Sequence, residues 1–490
     1  MPLFSLPADV VETELNHRLL SFQESAESES CFVFAYEYCA YYLADETILS
    51  LLACIRLVRE TSSDSKSSIR IYAGVIESSP QALAALSELD GDSDDACGNN
   101  CCESVLAEFI ASFGGAWLDL DAPLTLKPIN ITKPWGQEVW YTGIEARGQS
   151  LVEGVSVSGS KGVSPLPWVL SLAPQRFVGG LDRQLCLLKV LDPLPDEVYG
   201  DLYFEMHERK REVYIVTHVD AGAWPDGCGA IRFGFDQNRR AELGDKAFKL
   251  AYYRAVKDYE LVRREIDAIF DRRRTEQGIG LESPVGADTL KSWHQSLPQP
   301  LQAQELKLRS SMESFTSMKP LRLGDVVKVP CFTPHSLQHG VRTVEFQTPV
   351  YERKILSFAQ KVLTQASWDT ERALELMSLQ APADEPLPIL QDEEGCRVEQ
   401  VVRFDDFEVL RICLSVESSL DLRSLLLGAA VLPYVLVMPV CGSVVLAGNV
   451  LPESRAWLLG KSQLEASNLV CSTSPVEGIG ETVFLLARPL

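Results

Sequence analysis

The spacing of hydrophobic positions changes along the chain, and the predicted elements change with it. Residues 1–125 read as a mainly helical appendage, with helical patterns over 31–60, 80–89 and 103–113 broken by Ser- and Asp-rich stretches at 61–68 and 90–99. After 125 the texture becomes short β-prone runs separated by Gly, Pro and Asp, at 137–144, 151–157, 184–191, 200–206, 211–219 and 229–234. That spacing suits an antiparallel barrel or sandwich. Over 245–276 the period lengthens: Phe248, Tyr252, Ala255, Val256, Tyr259, Val262, Ile266 and Ile269 recur at helical spacing with charged residues between them, marking a long amphipathic helix that packs on a core. Helical character continues to about 318 and strands return at 326–330 and 341–347, so the helical block interrupts a β-domain. A Pro-, Asp- and Glu-rich linker, 380–397, precedes a last β-rich segment, 398–490. The expected organisation is a mainly β chain with helical additions: an appendage (1–125), a β-domain (126–244 and 319–375), a helical insertion (245–318) and a C-terminal β-domain (385–490).

Composition narrows the partners. A chain of 490 residues exceeds what one core accommodates, and 46% hydrophobic with 23% charged residues is a globular balance. The formal net charge of −23 repels phosphate backbones, which argues against nucleic acid as a partner. Thirteen cysteines, several in apolar segments (Cys54, Cys186, Cys413, Cys441), read as reduced buried thiols and point to the cytoplasm; Cys97, Cys101 and Cys102 match no standard zinc spacing and read as an exposed acidic loop. The N-terminus lacks the basic and apolar regions of a secretory signal. The charge-free run 424–451 is divided by Pro433, Pro439, Gly428, Gly442 and Gly448 into short pieces, so it reads as buried strands and no membrane partner is expected.

Two stretches concentrate chemistry. In Gly200-Asp-Leu-Tyr-Phe-Glu205-Met-His207-Glu-Arg-Lys210-Arg-Glu212, residues two apart on a strand share a face, so Glu205 and His207 project together. A tight turn and a second strand opened by Glu212 predict a hairpin that adds a third ligand. In Gly324-Asp-Val-Val-Lys-Val-Pro330-Cys-Phe-Thr-Pro334-His335, a strand and a rigid loop present a histidine. Two imidazoles and two carboxylates suit a borderline divalent ion, with zinc, manganese and iron(II) left open.

The pattern Gly-x4-Glu-x-His-x4-Glu followed by Gly-x5-Pro-x4-His resembles the paired signature of the cupins, and within them the type I mannose-6-phosphate isomerases. Supporting pieces are Lys210-Arg-Glu212, Thr333-Pro334-His335, Val344-Glu345-Phe346-Gln347, Arg353, Trp135-Gly136 and Leu187-Leu-Lys-Val-Leu191. The resemblance covers roughly 126–360, with 398–490 as a second, degenerate cupin, and leaves 1–125 outside. It implies a double-stranded β-helix (jelly-roll) with a helical insertion. It also implies one divalent metal, most readily zinc, held by Glu205, His207, Glu212 and His335, and interconversion of mannose 6-phosphate and fructose 6-phosphate or a close sugar-phosphate analogue. Arg353 and Lys210 are then the electrostatic partners of oxyanion or phosphate, Glu345 is the candidate proton-transfer base, and Lys210 or Lys133 faces the phosphate. Two features depart from the family. Glu205 replaces a glutamine, adding negative charge that favours harder metals, and the segment before Lys210-Arg-Glu212 is short. A cupin retained as a sugar-binding or regulatory module, and a metal-dependent oxygenase, are the competing classes, since fold does not choose among them.

Overall fold

The computed structural model describes residues 3–490 except 44, 46, 62–66, 92–100, 156–160, 417, 427–431, 447, 466–468 and 474–479. It divides into two compact units: 1–129 with 141–186 and 388–490, and 130–140 with 187–387.

The second unit is a two-sheet β-structure of the cupin, or jelly-roll, kind. One sheet orders six strands as Val326–Val329, Glu212–Val219, Val341–Gln347, Leu187–Pro193, Gly136–Trp140 and Ile129–Lys133. The other orders five as Thr316–Leu321, Gly229–Phe235, His335–Leu337, Phe204–Met206 and Lys354–Ser357. Helices fill 237–313, the longest being Asp245–Glu276. Phe248, Tyr252, Val256 and Tyr259 of that helix are fully buried in one cluster with Phe204 and Phe235 of the five-stranded sheet. Alternation on Phe204–Met206 explains the division of labour: Phe204 and Met206 join this apolar cluster while Glu205 projects elsewhere. The helical stretch is shorter than its pattern suggested, because Thr316–Leu321 is already a strand.

Among the described residues the first unit contains a five-stranded, a two-stranded, a nine-stranded and a four-stranded sheet. The expectation of a mainly helical N-terminus is overturned at 31–60, which forms two long antiparallel strands, Glu29–Ala40 and Thr47–Thr61, in a five-stranded sheet with Leu3–Leu6, Ser67–Glu77 and Leu118–Asp119. Every residue from Leu51 to Leu57 is buried. A strand covered on both faces loses the polar alternation that identifies it, and its continuous apolar run then reads as a helix. The helices at Pro80–Gly91 and Cys101–Ser112 are present as the periodicity implied.

The C-terminal residues build a nine-stranded sheet and a four-stranded one. The nine-stranded sheet recruits Leu124–Lys127, Leu151–Val155 and Lys161–Pro165, joined through the pairing of Leu124–Lys127 with Ala456–Gly460. The strands between 126 and 186 are therefore shared between the units instead of lying wholly with 187–244, because this pairing takes the edge of the C-terminal sheet. The charge-free run resolves into Tyr434–Cys441, Val444–Leu446 and Asn449–Leu451, and among the described residues no helix is long and apolar enough to cross a membrane. Cys54 and Cys186 are buried and in no disulfide, whereas Cys413 and Cys441 are half-buried. Cys97 lies outside the described residues, as do the side chains of Cys101 and Cys102.

Candidate metal centre

The expected hairpin is absent, yet its three ligands still meet. Phe204–Met206 pairs with His335–Leu337 and Lys354–Ser357 in one sheet, and Glu212–Val219 pairs with Val326–Val329 and Val341–Gln347 in the other. Glu205 sits directly opposite His335 across the ladder, and Glu212 approaches from the opposite sheet. The loop that delivers His335 is fastened where it passes the first ligand strand. Phe332 adopts a φ of 65°, a conformation unfavourable for a bulky side chain, and its N–H donates to the carbonyl of His207 at 2.7 Å.

Both histidines are oriented by backbone acceptors. His207 Nδ1 lies 2.7 Å from the carbonyl of Glu352, and His335 Nδ1 lies 3.0 Å from the carbonyl of Thr333. A carbonyl only accepts, so each Nδ1 carries a hydrogen and each Nε2 is aimed into the site. Those nitrogens face carboxylate oxygens: His207 Nε2 is 3.8 Å from Glu205 and 3.5 Å from Glu212, and His335 Nε2 is hydrogen-bonded to Glu212 at 3.1 Å. His207 Nε2 and Glu205 Oε2 are buried without a hydrogen-bond partner. A second proton on His207 is disfavoured, since burial and then Lys210 push its pKa down.

Two acceptors left without a donor at one place, His207 Nε2 and Glu205 Oε2, are costly unless a cation lies between them. The spacing tests the fit: ligands about 2.1 Å from a tetrahedral ion stand about 3.4 Å apart, within the range of the separations just given. The donor atoms of Glu205, His207 and His335 all lie within 4.8 Å of one another, so these three form a group able to hold a divalent ion. Glu212 flanks them and is held elsewhere as well, with Lys210 Nζ 2.6 Å from one oxygen and the Tyr214 hydroxyl donating to the other at 2.7 Å. Burial alone would raise the pKa of Glu212, but Lys210 and His207 outweigh it and keep the carboxyl well below its ordinary value.

A row of buried charge continues across the six-stranded sheet. Glu345 pairs in register with Tyr214 on one side and Lys189 on the other, and Lys189 Nζ is 3.2 Å from its carboxylate. Burial holds the pKa of Glu345 well above the ordinary value despite Lys189. Beyond Lys189, Glu138 accepts from the Trp140 indole at 2.8 Å and lies 3.1 Å from Lys133. Burial opposes ionisation of Glu138, but Lys189 and Lys133 bring its pKa down to about 2.

Of the residues singled out in the sequence, Glu205, His207, Lys210, Glu212, His335 and Glu345 are thus gathered, and Arg353 is not. Its guanidinium stacks 4.7 Å from the Tyr203 ring centroid and donates to Thr364. His339, bonded to Asp201 at 2.8 Å and stacked on Trp224, is a satisfied histidine away from this group. Sequence reasoning missed Lys189, Tyr214, Glu138 and Glu352. Lys189 left a signal, a single cation inside the apolar run 187–191, which calls for a buried counter-charge. Glu352, which accepts the amides of Glu208 and Arg209 on its carboxylate and orients His207 through its carbonyl, left none.

No known protein family matches the sequence, and no curated protein does. Solved structures do. Mannose 6-phosphate isomerase from Bacillus subtilis aligns with 13% identity over 75% of this chain and 99% of its own, with a TM-score of 0.47. A variant of phosphomannose isomerase from Salmonella typhimurium aligns with 14% identity over 75% and 100%, with a TM-score of 0.45. A zinc-bound mannose 6-phosphate isomerase aligns with 13% identity over 75% and 100%, with a TM-score of 0.47.

Proposed function

We propose that the chain is a metal-dependent aldose–ketose isomerase acting on mannose 6-phosphate and fructose 6-phosphate, or on a close sugar-phosphate analogue. The observation that carries this reading is the pairing of a fitted cation site with an adjacent buried carboxylate of raised proton affinity, Glu345. Glu205, His207 and His335, flanked by Glu212, would hold the ion, zinc being the first choice for this donor set. When bound, the ion would polarise the sugar oxygens.

The remaining work falls to the chain's own groups. Isomerisation moves a proton between C1 and C2, and Glu345, a buried carboxylate beside Glu212, is suited to take it up and return it. Lys189, at 3.2 Å, balances the charge of that carboxylate as the proton comes and goes. Lys210, fixed against Glu212, offers a cation at the edge of the site. Burial of both histidines keeps bulk water away from the reacting carbon.

One observation favours a second reading, a cupin kept as a metal-containing sugar-binding or regulatory module. Arg353 is committed to Tyr203 and Thr364, and Lys133, Lys189 and Lys210 each face a carboxylate, so an uncompensated cation for the phosphate is missing from the described site. A coupled assay separates the two. Purified protein is given mannose 6-phosphate with zinc, manganese, iron(II) or chelator, and fructose 6-phosphate is read alongside His335→Ala. Metal-dependent turnover lost in the variant supports the isomerase. A protein that binds a stoichiometric ion and turns over nothing supports the module.

A further inference from the structure

The helical block, with Pro134, 198–199 and 359–361, lines a cavity of about 210 Å³ whose charged lining is Arg263, Arg274, Arg309, Lys361 and Glu305, with His294 beside them. Four cations against one carboxylate is an unusual lining in a chain of net charge −23. Three of the four are accounted for. Arg263 pairs with Asp267 at 2.9 Å, Arg309 with Glu305 at 3.0 Å, and Lys361 with Asp271 at 2.7 Å.

Arg274 differs. It is 3% exposed, its Nε has no hydrogen-bond partner, and Nη2 reaches only the Ser283 carbonyl at 3.4 Å. Asp271 and Asp267 act on it only from beyond contact distance, so a buried guanidinium is left without a directly bonded anion, which a neutral water does not replace.

A second orphan lines the same cavity. Gln360 is 6% exposed and donates from Nε2 to the Tyr199 carbonyl at 2.9 Å. That bond fixes which end of the amide is which, because the flipped amide would set oxygen against oxygen. Its Oε1 is then a buried acceptor without a donor. The cavity thus asks for an anion at one place and a hydroxyl at another, with Phe270 and Val285 in its apolar lining.

We propose that this cavity binds a small hydroxylated phosphate ester. Arg274, helped by Arg309 and Lys361, takes the phosphate; Gln360 accepts a hydroxyl hydrogen; and the carbon body lies against Phe270 and Val285. The site shares no residue with the candidate metal centre and does not depend on the isomerase reading.

Isothermal titration of the full-length protein tests this, with glycerol 3-phosphate as the probe and inorganic phosphate and glycerol as its two halves. Glycerol 3-phosphate is expected to bind one-to-one and more tightly than inorganic phosphate, and glycerol alone not to register. Arg274→Gln is expected to weaken binding by about tenfold or more, the usual effect of deleting a buried charge-assisted hydrogen bond. Lys361→Gln, at a half-buried position where folding is less at stake, should weaken it by a smaller factor, and His335→Ala should leave it unchanged. Absence of binding at millimolar glycerol 3-phosphate would overturn the proposal. So would undiminished binding in both Arg274→Gln and Lys361→Gln, or loss of binding in His335→Ala, which would place the phosphate at the metal centre.

Discussion

In the C-terminal sheet Glu408 is buried between Arg403 and Arg488, and Glu399 between Arg397 and Arg411, so each carboxylate faces two guanidiniums. In the unit that carries the candidate metal centre His207 is buried and Glu205 half-buried, yet each has an atom withdrawn from water that lacks any partner. The interiors differ in the same sense. One is filled by Val398, Leu410, Ile412, Val437, Leu459 and Leu486, and no histidine occurs after His339; the other sets imidazoles and carboxylates face to face. Related two-sheet frameworks can therefore serve opposite ends. Where the buried carboxylates are matched by guanidiniums of the chain, as at Glu399 and Glu408, the interior is a structural core; where imidazole and carboxylate atoms are left facing one another, the interior waits for something from outside.

The largest effect that would sharpen this contrast is in the structural core. Leu486→Ala should cost about 3 kcal/mol in denaturant unfolding and leave metal affinity untouched. A change in metal affinity would mean that the two interiors are not independent.

Acid should act next most strongly, and on the other unit. The pKa of Glu138 is depressed from 4.5 to about 2, so its contribution is fully present above pH 4.5 and lost as the pH falls towards 2. That contribution is about 3 kcal/mol at neutral pH, and Glu138→Gln should flatten the acid limb of the stability profile by that amount. An unchanged acid limb would show that Lys133 and Lys189 do not hold the carboxylate as described.

Zinc comes third. At about a hundred times its dissociation constant it should stabilise the wild-type chain by about 2.7 kcal/mol and do nothing for His207→Ala, read by thermal shift. Smallest is the effect of removing an orphan. In metal-free protein Glu205→Gln should change stability by less than about 1 kcal/mol, whereas Glu408→Gln, which leaves two guanidiniums behind, should cost about 2 kcal/mol. Equal costs would break the distinction between a satisfied and an unsatisfied interior.

These differences were unequally legible in the sequence. The ligand pair Glu205 and His207 could be read because a strand has a period of two, and His335 because a Gly–strand–Pro segment carries it to a fixed place. The long helix could be read because its apolar stripe is uninterrupted. The N-terminal strands could not, since burial of 51–57 on both faces erased their alternation. The route of Glu212 could not either. Five residues from His207 it implied a hairpin, whereas the chain crosses to the opposite sheet, which only long-range pairing with Val341–Gln347 decides. The direction of Arg353 is likewise set by Tyr203 and Thr364, neither of which a local pattern links to it.

The most direct test of the metal centre is a titration of metal-free protein with cobalt(II), followed by visible absorption and calorimetry, in the wild type and His335→Ala. Binding of one ion per chain, with the spectrum of a four-coordinate site in mixed nitrogen and oxygen donors and its loss in the variant, is the expected result. An unaltered titration in His335→Ala, or no binding by the wild type, would contradict the assignment of Glu205, His207 and His335 as the residues that hold a divalent ion.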